Sequence, residues 1–296
     1  PYRPQGRAHR PGGRQVRRSA LAALVVMAVS AAACAPPLQS LGPDGPVQST
    51  ERISFGDRDP LDLHLVKPRV PVAGKPLVLF ATGDGGWRGK DKEAFDQMRT
   101  WGYPMAGFSA PGYLKHITRH THRTTPADVA ADYARLIARA KAAMALPEET
   151  PTVLFGVSRG AGLAVAAAGE SSLQPQLLGV VAVALTREEE YVHRLKRPKH
   201  APPNALPELV MLDNYEYLPR LRTLPVSIIQ STHDDYLPAE EARRLLGPDS
   251  KLHKLHPIAS MNHSFTDARE RLYAEMQASL AWLNQFRPPA TMSGEE

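Results

Sequence analysis

Gly156, Val157, Ser158, Arg159 and Gly160 spell GxSxG, with the apolar run Pro151 to Phe155 before them and the small, apolar stretch Ala161 to Ala168 after. A bare GxSxG says little, but a strand leading in and a helix leading out define a sharp turn that lifts a serine hydroxyl to the top of a sheet. Glycines on either side keep such a turn free of Cβ clashes. The feature therefore demands a strand-turn-helix unit within an α/β architecture, and it names Ser158 as a nucleophile.

The rest of the chain has the rhythm that architecture needs. Short apolar runs at Arg52 to Phe55, Leu61 to Val66, Pro76 to Ala81, Pro104 to Ser109, Thr152 to Phe155, Gly179 to Ala184, Val226 to Gln230 and Lys251 to Leu255 read as eight strands. Between them, Pro126 to Met144 sets Val129, Tyr133, Leu136, Ile137, Ala140 and Met144 on one face, behind Thr125 as a capping hydroxyl and Pro126 at the first helical position. Phe265 to Phe286 and Pro238 to Leu246 read as further helices. Strands alternating with helices imply a mainly parallel eight-stranded sheet covered on both faces. The expected layout is a single domain over residues 51–287 and a tail at 288–296. Within the domain, residues 187–223 hold Pro198, Pro202, Pro203, Pro207 and Pro219 between two strands and form a candidate lid.

The amino-terminal end reads differently. Six of the 36 basic residues precede position 34, in a stretch without one Asp or Glu, so the remainder balances 30 basic against 30 acidic residues. The body thus has no basic excess for neutralising phosphates, and nucleic-acid binding is not expected. Arginines, an apolar run from Ser19 to Ala33, and small residues ending at Cys34 read as an export signal over residues 1–34. That run is short for a spanning helix. Ala31, Ala32, Ala33 and Cys34 resemble a bacterial lipoprotein box, and Cys34 is the sole cysteine, so it cannot close an intramolecular disulfide. Lipidation of Cys34 on an exported, periplasmic, membrane-anchored lipoprotein is the expectation, against a cleaved soluble form or an uncleaved anchor. Residues 35–50, rich in Pro and Gly, read as a flexible tether.

A serine hydroxyl needs a base to take its proton and an acid to orient that base. After Val226 to Gln230 come Ser231, Thr232, His233, Asp234 and Asp235, which puts a carboxylate at the carboxyl end of a late strand. Asp234 is the expected acid, with Asp235 and Asp213 as alternatives. The last strand is followed by Met261, Asn262, His263 and Ser264, making His263 the expected base, whereas His253 and His256 alternate along the strand itself. The order Ser, Asp, His differs from the other two serine-triad orders. For the oxyanion, Arg159 N–H follows the nucleophile, and Asp84 N–H, or failing it Gly85 N–H, comes from the glycine loop Thr82 to Trp87. Trp87 is expected either to line the acyl pocket or to sit in the core. His116, His120 and His122 lack a carboxylate or cysteine at ligand spacing, so no metal is expected and they read as a loop flanking the entrance to the site. Triad chemistry calls for no cofactor.

These residues resemble the α/β-hydrolase superfamily across Glu51 to Arg287. More narrowly, GDGGWRGKDKEAF at Gly83 to Phe95 and GYPMAGFSAPGYL at Gly102 to Leu114 resemble the bacterial VirJ and AcvB virulence-protein family. The resemblance implies a periplasmic serine hydrolase and, for members of that family, hydrolysis of lysyl-phosphatidylglycerol, an aminoacylated membrane lipid. The elbow GVSRGAG differs from the family's GYSFGAD, and MNHSF lacks its paired histidines. A carboxylesterase or thioesterase acting on a soluble substrate, and a non-catalytic periplasmic virulence or secretion component, are the alternative functions.

Overall fold

The computed structural model describes residues 46–55, 60–69, 74–117, 124–190 and 211–287. In chain order the strands are β1 (Val47–Ile53), β2 (Leu61–Lys67), β3 (Leu77–Ala81), β4 (Met105–Phe108), β5 (Thr152–Val157), β6 (Leu177–Val183), β7 (Glu188–Glu190), β8 (Met211–Asp213), β9 (Val226–Ser231) and β10 (His253–Ile258). The α-helices are α1 (Gly89–Met98), α2 (Ala110–Ile117), α3 (Pro126–Met144), α4 (Arg159–Ala168), α5 (Asn214–Tyr217), α6 (Ala239–Leu246) and α7 (Arg269–Asn284).

Among the described residues, eight strands form one sheet in the order β1-β2-β4-β3-β5-β6-β9-β10. β1, β2 and β4 pair antiparallel, and every pair from β4 through β10 is parallel. Sequence and position agree in the reason. β3 and β6 are buried at every residue, as parallel strands covered on both faces must be, while β2 alternates between buried and accessible side chains near the antiparallel edge. One face carries α1 and α7 over Phe80, Phe155 and Val181; the other carries α3 and α4 over Leu79, Leu154 and Ala182. The sheet with helices on both faces thus stands as its sequence implies.

Local signals set most boundaries. Thr125 Oγ1 accepts from Asp128 N and the Asp128 carboxylate accepts from Thr125 N at 2.8 Å, a reciprocal cap that starts α3. β1 begins at Val47, so its first four residues fall in the stretch expected to be tether; they are exposed and hold through pairing with His64 to Lys67. α7 begins at Arg269 and not at Phe265, because Phe265 takes a left-handed φ of 51° and anchors a turn with its ring buried. α1, α2 and the two-stranded ribbon of β7 and β8 were not legible from periodicity. The helix GKDKEAFDQM buries only Ala94, Phe95 and Met98, and α2 carries Pro111 and Gly112 in its first turn. Of the proline-rich insertion, the described ends form the ribbon and α5; Pro198 to Pro207, Cys34, the signal and the 288–296 tail lie outside the described residues.

Tyr133 is fully buried between Phe108 and Tyr113, and its hydroxyl has no hydrogen-bond partner among the described residues; burial holds its pKa far above the usual tyrosine value. Tyr133→Phe deletes an unsatisfied polar atom and keeps the ring. It raises stability by about 1 kcal/mol, or roughly 2–4 °C in a thermal melt.

Candidate active site

β4 and β5 lie on opposite sides of β3, and at that reversal of strand order a crevice opens beyond the carboxyl ends of the strands. β3 delivers the glycine loop there, β5 delivers Ser158, β6 leads to Thr186 and Glu189, β9 to Asp234 and β10 to His263. The resulting cavity holds about 1040 Å³ and is lined by Gly83, Asp84, Gly85, Ser158, Arg159 and His263 among others.

Ser158 sits at φ 50° and ψ −117°, a conformation in which a non-glycine side chain is strained. The turn closes so tightly that only glycines fit around it. A Cβ on Gly156 would lie 2.1 Å from Gly160 O, and one on Gly160 would lie 2.3 Å from Ala81 O. Ser158 N–H donates to Val183 O at 2.8 Å, fixing the turn to β6, and its carbonyl accepts from Ala161 N at 2.8 Å as α4 begins. The positive end of that helix points at the crevice.

The three residues proposed from spacing come together. His263 Nε2 lies 2.9 Å from Ser158 Oγ, and His263 Nδ1 lies 2.7 Å from Asp234 Oδ2. The Asp234 side chain is fully buried, and every acceptor position has a donor: Gln230 Nε2 at 3.0 Å on Oδ2, Tyr236 N at 2.9 Å and Leu237 N at 3.3 Å on Oδ1. These donors fix the orientation of the carboxyl group against the imidazole. His263 is placed by a loop stitched at both ends. Asp267 accepts from Ser260 Oγ at 2.6 Å and Met261 N at 3.0 Å, and Asn262 Oδ1 accepts from Ser264 N at 3.1 Å. Tyr236, 71% exposed, sets its ring edge-to-face on the imidazole with centroids 4.8 Å apart.

The alternatives go elsewhere. Asp235 is exposed; Asp213 caps α5 through Tyr215 N and Glu216 N and pairs with Arg187 Nε at 3.0 Å. His256 pairs with Glu275 at 3.1 Å, away from the crevice. Two expectations need correction. Trp87 does not line the cavity: its indole stacks on His64 at 3.9 Å and fills the slot left by Gly107, where any Cβ would strike it at 2.6 Å. His116 is buried at the end of α2 and is not on an exposed loop; His120 and His122 lie outside the described residues.

The glycine loop runs past the nucleophile, a Cβ on Gly83 falling 3.3 Å from Ser158 Cβ. Gly83 N–H is engaged with Asp91 Oδ2 at 2.7 Å and Gly86 N–H with Gly83 O at 3.1 Å, whereas Asp84 and Gly85, which line the cavity together with Ser158, have no backbone hydrogen bond from their N–H groups among the described residues. Asp91 and Glu189, neither singled out by sequence, both border the cavity. No periodic or spacing signal marks them, since each is one carboxylate in a charged segment. Burial pushes the Asp91 pKa up, against the Gly83 N–H, Lys90, Arg269 and His263, which all favour the carboxylate. With the folded value raised, ionisation of Asp91 costs stability progressively as pH climbs from the unfolded value, near about 4, through the folded one. Asp91→Asn keeps an acceptor for Gly83 and removes that cost. Its melting temperature exceeds that of the wild type at pH 7, and the difference closes below about pH 4.

Residues 75–196 match the family model described as bacterial virulence protein (VirJ). No curated protein matches the chain. Solved structures share its fold at low identity. Est1E from Butyrivibrio proteoclasticus is 14% identical with a TM-score of 0.57, the match covering 79% of this chain and 98% of that one. A putative dienelactone hydrolase from Klebsiella pneumoniae is 16% identical at TM-score 0.55, covering 81% and 99%. An alpha-beta serine hydrolase homologue from Coxiella burnetii is 14% identical at TM-score 0.54, covering 78% and 97%. This chain is similar to these proteins in backbone architecture, which is that of the α/β hydrolases, and resembles VirJ in sequence.

Proposed function

We propose that this α/β-hydrolase chain is an exported serine hydrolase that cleaves an ester through Ser158, His263 and Asp234. The observation that carries the reading is the unbroken hydrogen-bonded chain of 2.9 and 2.7 Å from Ser158 Oγ through the imidazole to a buried carboxylate. Ser158 Oγ attacks the acyl carbon while His263 Nε2 accepts its proton, and Asp234 stabilises the imidazolium through Nδ1–H. The negative charge gathering on the carbonyl oxygen is met by Arg159 N–H and Asp84 N–H, with Gly85 N–H beside them. Collapse of the tetrahedral intermediate breaks the ester C–O bond, and His263 returns its proton to the departing alcohol. Water, deprotonated by the same imidazole, then releases the acid and frees Ser158.

The substrate we favour is the aminoacyl ester of a phospholipid such as lysyl-phosphatidylglycerol, in line with the VirJ resemblance. A cavity of about 1040 Å³, with Tyr236 and Met211 exposed along it, suits a bulky amphiphile. Lipidation of Cys34 would hold the enzyme at the periplasmic membrane surface where such a lipid lies. Among the described residues no helix is long and apolar enough to cross a membrane.

Purified enzyme is tested with aminoacyl-phosphatidylglycerol vesicles and, separately, with short soluble acyl esters, beside Ser158→Ala. Release of amino acid from the vesicles, lost in the variant, supports the reading. Turnover of soluble esters alone rejects the lipid substrate, and inert wild-type protein rejects the hydrolase.

A further inference from the structure

Arg159 and Asp84, whose backbone N–H groups are assigned to the oxyanion in the hydrolase reading, are also joined through their side chains. The Arg159 guanidinium grips the Asp84 carboxylate by Nε on Oδ1 and by Nη2 on Oδ2 at 3.3 Å. Its remaining edge, Nη1, reaches Glu189 Oε1 at 2.7 Å. One side chain therefore ties together the nucleophile turn, the glycine loop after β3 and the start of the proline-rich insertion.

The Glu189 end of this clasp is built into the core. Its side chain is 8% exposed, its other oxygen accepts from Thr186 Oγ1 at 3.1 Å, and it lies over Gly162, where any Cβ would meet Glu189 Cγ at 2.8 Å. β7, which carries Glu189, is in turn paired with β8 across the insertion. Asp84, by contrast, is 66% exposed on the glycine loop, and the bonds that tie the rest of that loop, from Gly83 N–H to Asp91, Gly86 N–H to Gly83 O and Arg88 Nε to Gly85 O, do not include it. A rigid partner on one side and a loose one on the other make the guanidinium a strut. In the hydrolase reading both residues give their N–H groups to the oxyanion, so a hold on the Asp84 side chain bears on where its N–H stands.

We propose that Glu189 and the Arg159 side chain are positioning residues that fix the oxyanion hole of this site, so that Glu189 takes part in catalysis through Arg159. The proposal rests on the hydrolase reading above. A charge-assisted bidentate clasp resists displacement far better than a neutral contact, and transition-state stabilisation by N–H groups depends steeply on their placement.

The test uses Arg159→Met, Glu189→Gln and the double variant, each assayed for kcat, KM, melting temperature and affinity for a phenylboronic acid that forms a tetrahedral adduct on the serine. Arg159→Met alone melts lower, because it takes the guanidinium away from a buried carboxylate. Adding Glu189→Gln removes that charge and restores the melting temperature. In the double variant kcat nevertheless stays down by about 10²-fold, with KM within about three-fold of wild type and boronate affinity reduced in step with kcat. Recovery of kcat together with the melting temperature would overturn the proposal, as would a rise in KM at unchanged kcat. Wild-type protein that neither turns over ester nor binds boronate would defeat the hydrolase reading itself, and this inference with it.

Discussion

Ser158→Gly yields a protein that melts about 2–4 °C higher than wild type and has lost turnover by about 10⁶-fold, the magnitude seen when a triad nucleophile is removed. Both effects come from one residue. At φ 50° the serine is held in a conformation that costs a side-chain-bearing residue on the order of 1–3 kcal/mol. Glycine enters that region without penalty but is freer in the unfolded chain, which returns up to about 1 kcal/mol of the gain. A net stabilisation of about 1 kcal/mol remains. The backbone hydrogen bonds, Ser158 N to Val183 O and Ala161 N to Ser158 O, survive the change, while the bond of Ser158 Oγ to His263 Nε2 is lost alike in the glycine and alanine variants and leaves the imidazole facing the open crevice. Ser158→Ala loses turnover equally but keeps its Cβ in the strained region, so its melting temperature stays near that of wild type. Differential scanning calorimetry beside an ester assay separates the two variants.

Asp234→Asn lowers kcat by about 10⁴-fold, the size expected when the orienting acid of a triad becomes an amide. The loss follows from the inventory of donors around the carboxylate. Tyr236 N, Leu237 N, Gln230 Nε2 and His263 Nδ1–H all donate to its two oxygens. An amide has one acceptor oxygen and one donor NH₂, so it must confront either the backbone donors or the imidazole. If the NH₂ faces His263, Nδ1 becomes the acceptor and the ring proton moves to Nε2, where it points at Ser158 Oγ and no base remains. Raising pH cannot restore activity, because the fault lies in the tautomer. A pH-rate profile that stays flat and low through pH 9 checks this.

The reach of the sequence depended on how local each signal was. Gly156 is legible because its steric demand, set by Gly160 O, is met within five residues, and Asp234 and His263 because each follows its own late strand. β3, β5 and β6 announce themselves as unbroken apolar runs. What escaped were relations across the fold. Trp87 looked fit for a pocket, yet its place is set by the absence of a side chain at Gly107, twenty positions on. Glu189 sits in a stretch with no period at all, and its burial makes sense only once Arg159 and Gly162 are seen beside it. α1 was hidden because its apolar face is three residues wide. Residues 47–50 read as tether from composition, while their pairing with β2 is decided by backbone hydrogen bonds that composition does not record.

An activated Ser158 reacts covalently with electrophilic phosphonates. Wild-type protein treated with a fluorophosphonate and examined by mass spectrometry gains a single adduct, which peptide mapping places on Ser158; Ser158→Gly gains none, and Asp234→Asn is labelled far more slowly. An unlabelled wild type, an adduct on another residue, or equal labelling of Ser158→Gly would rule out Ser158 as the nucleophile.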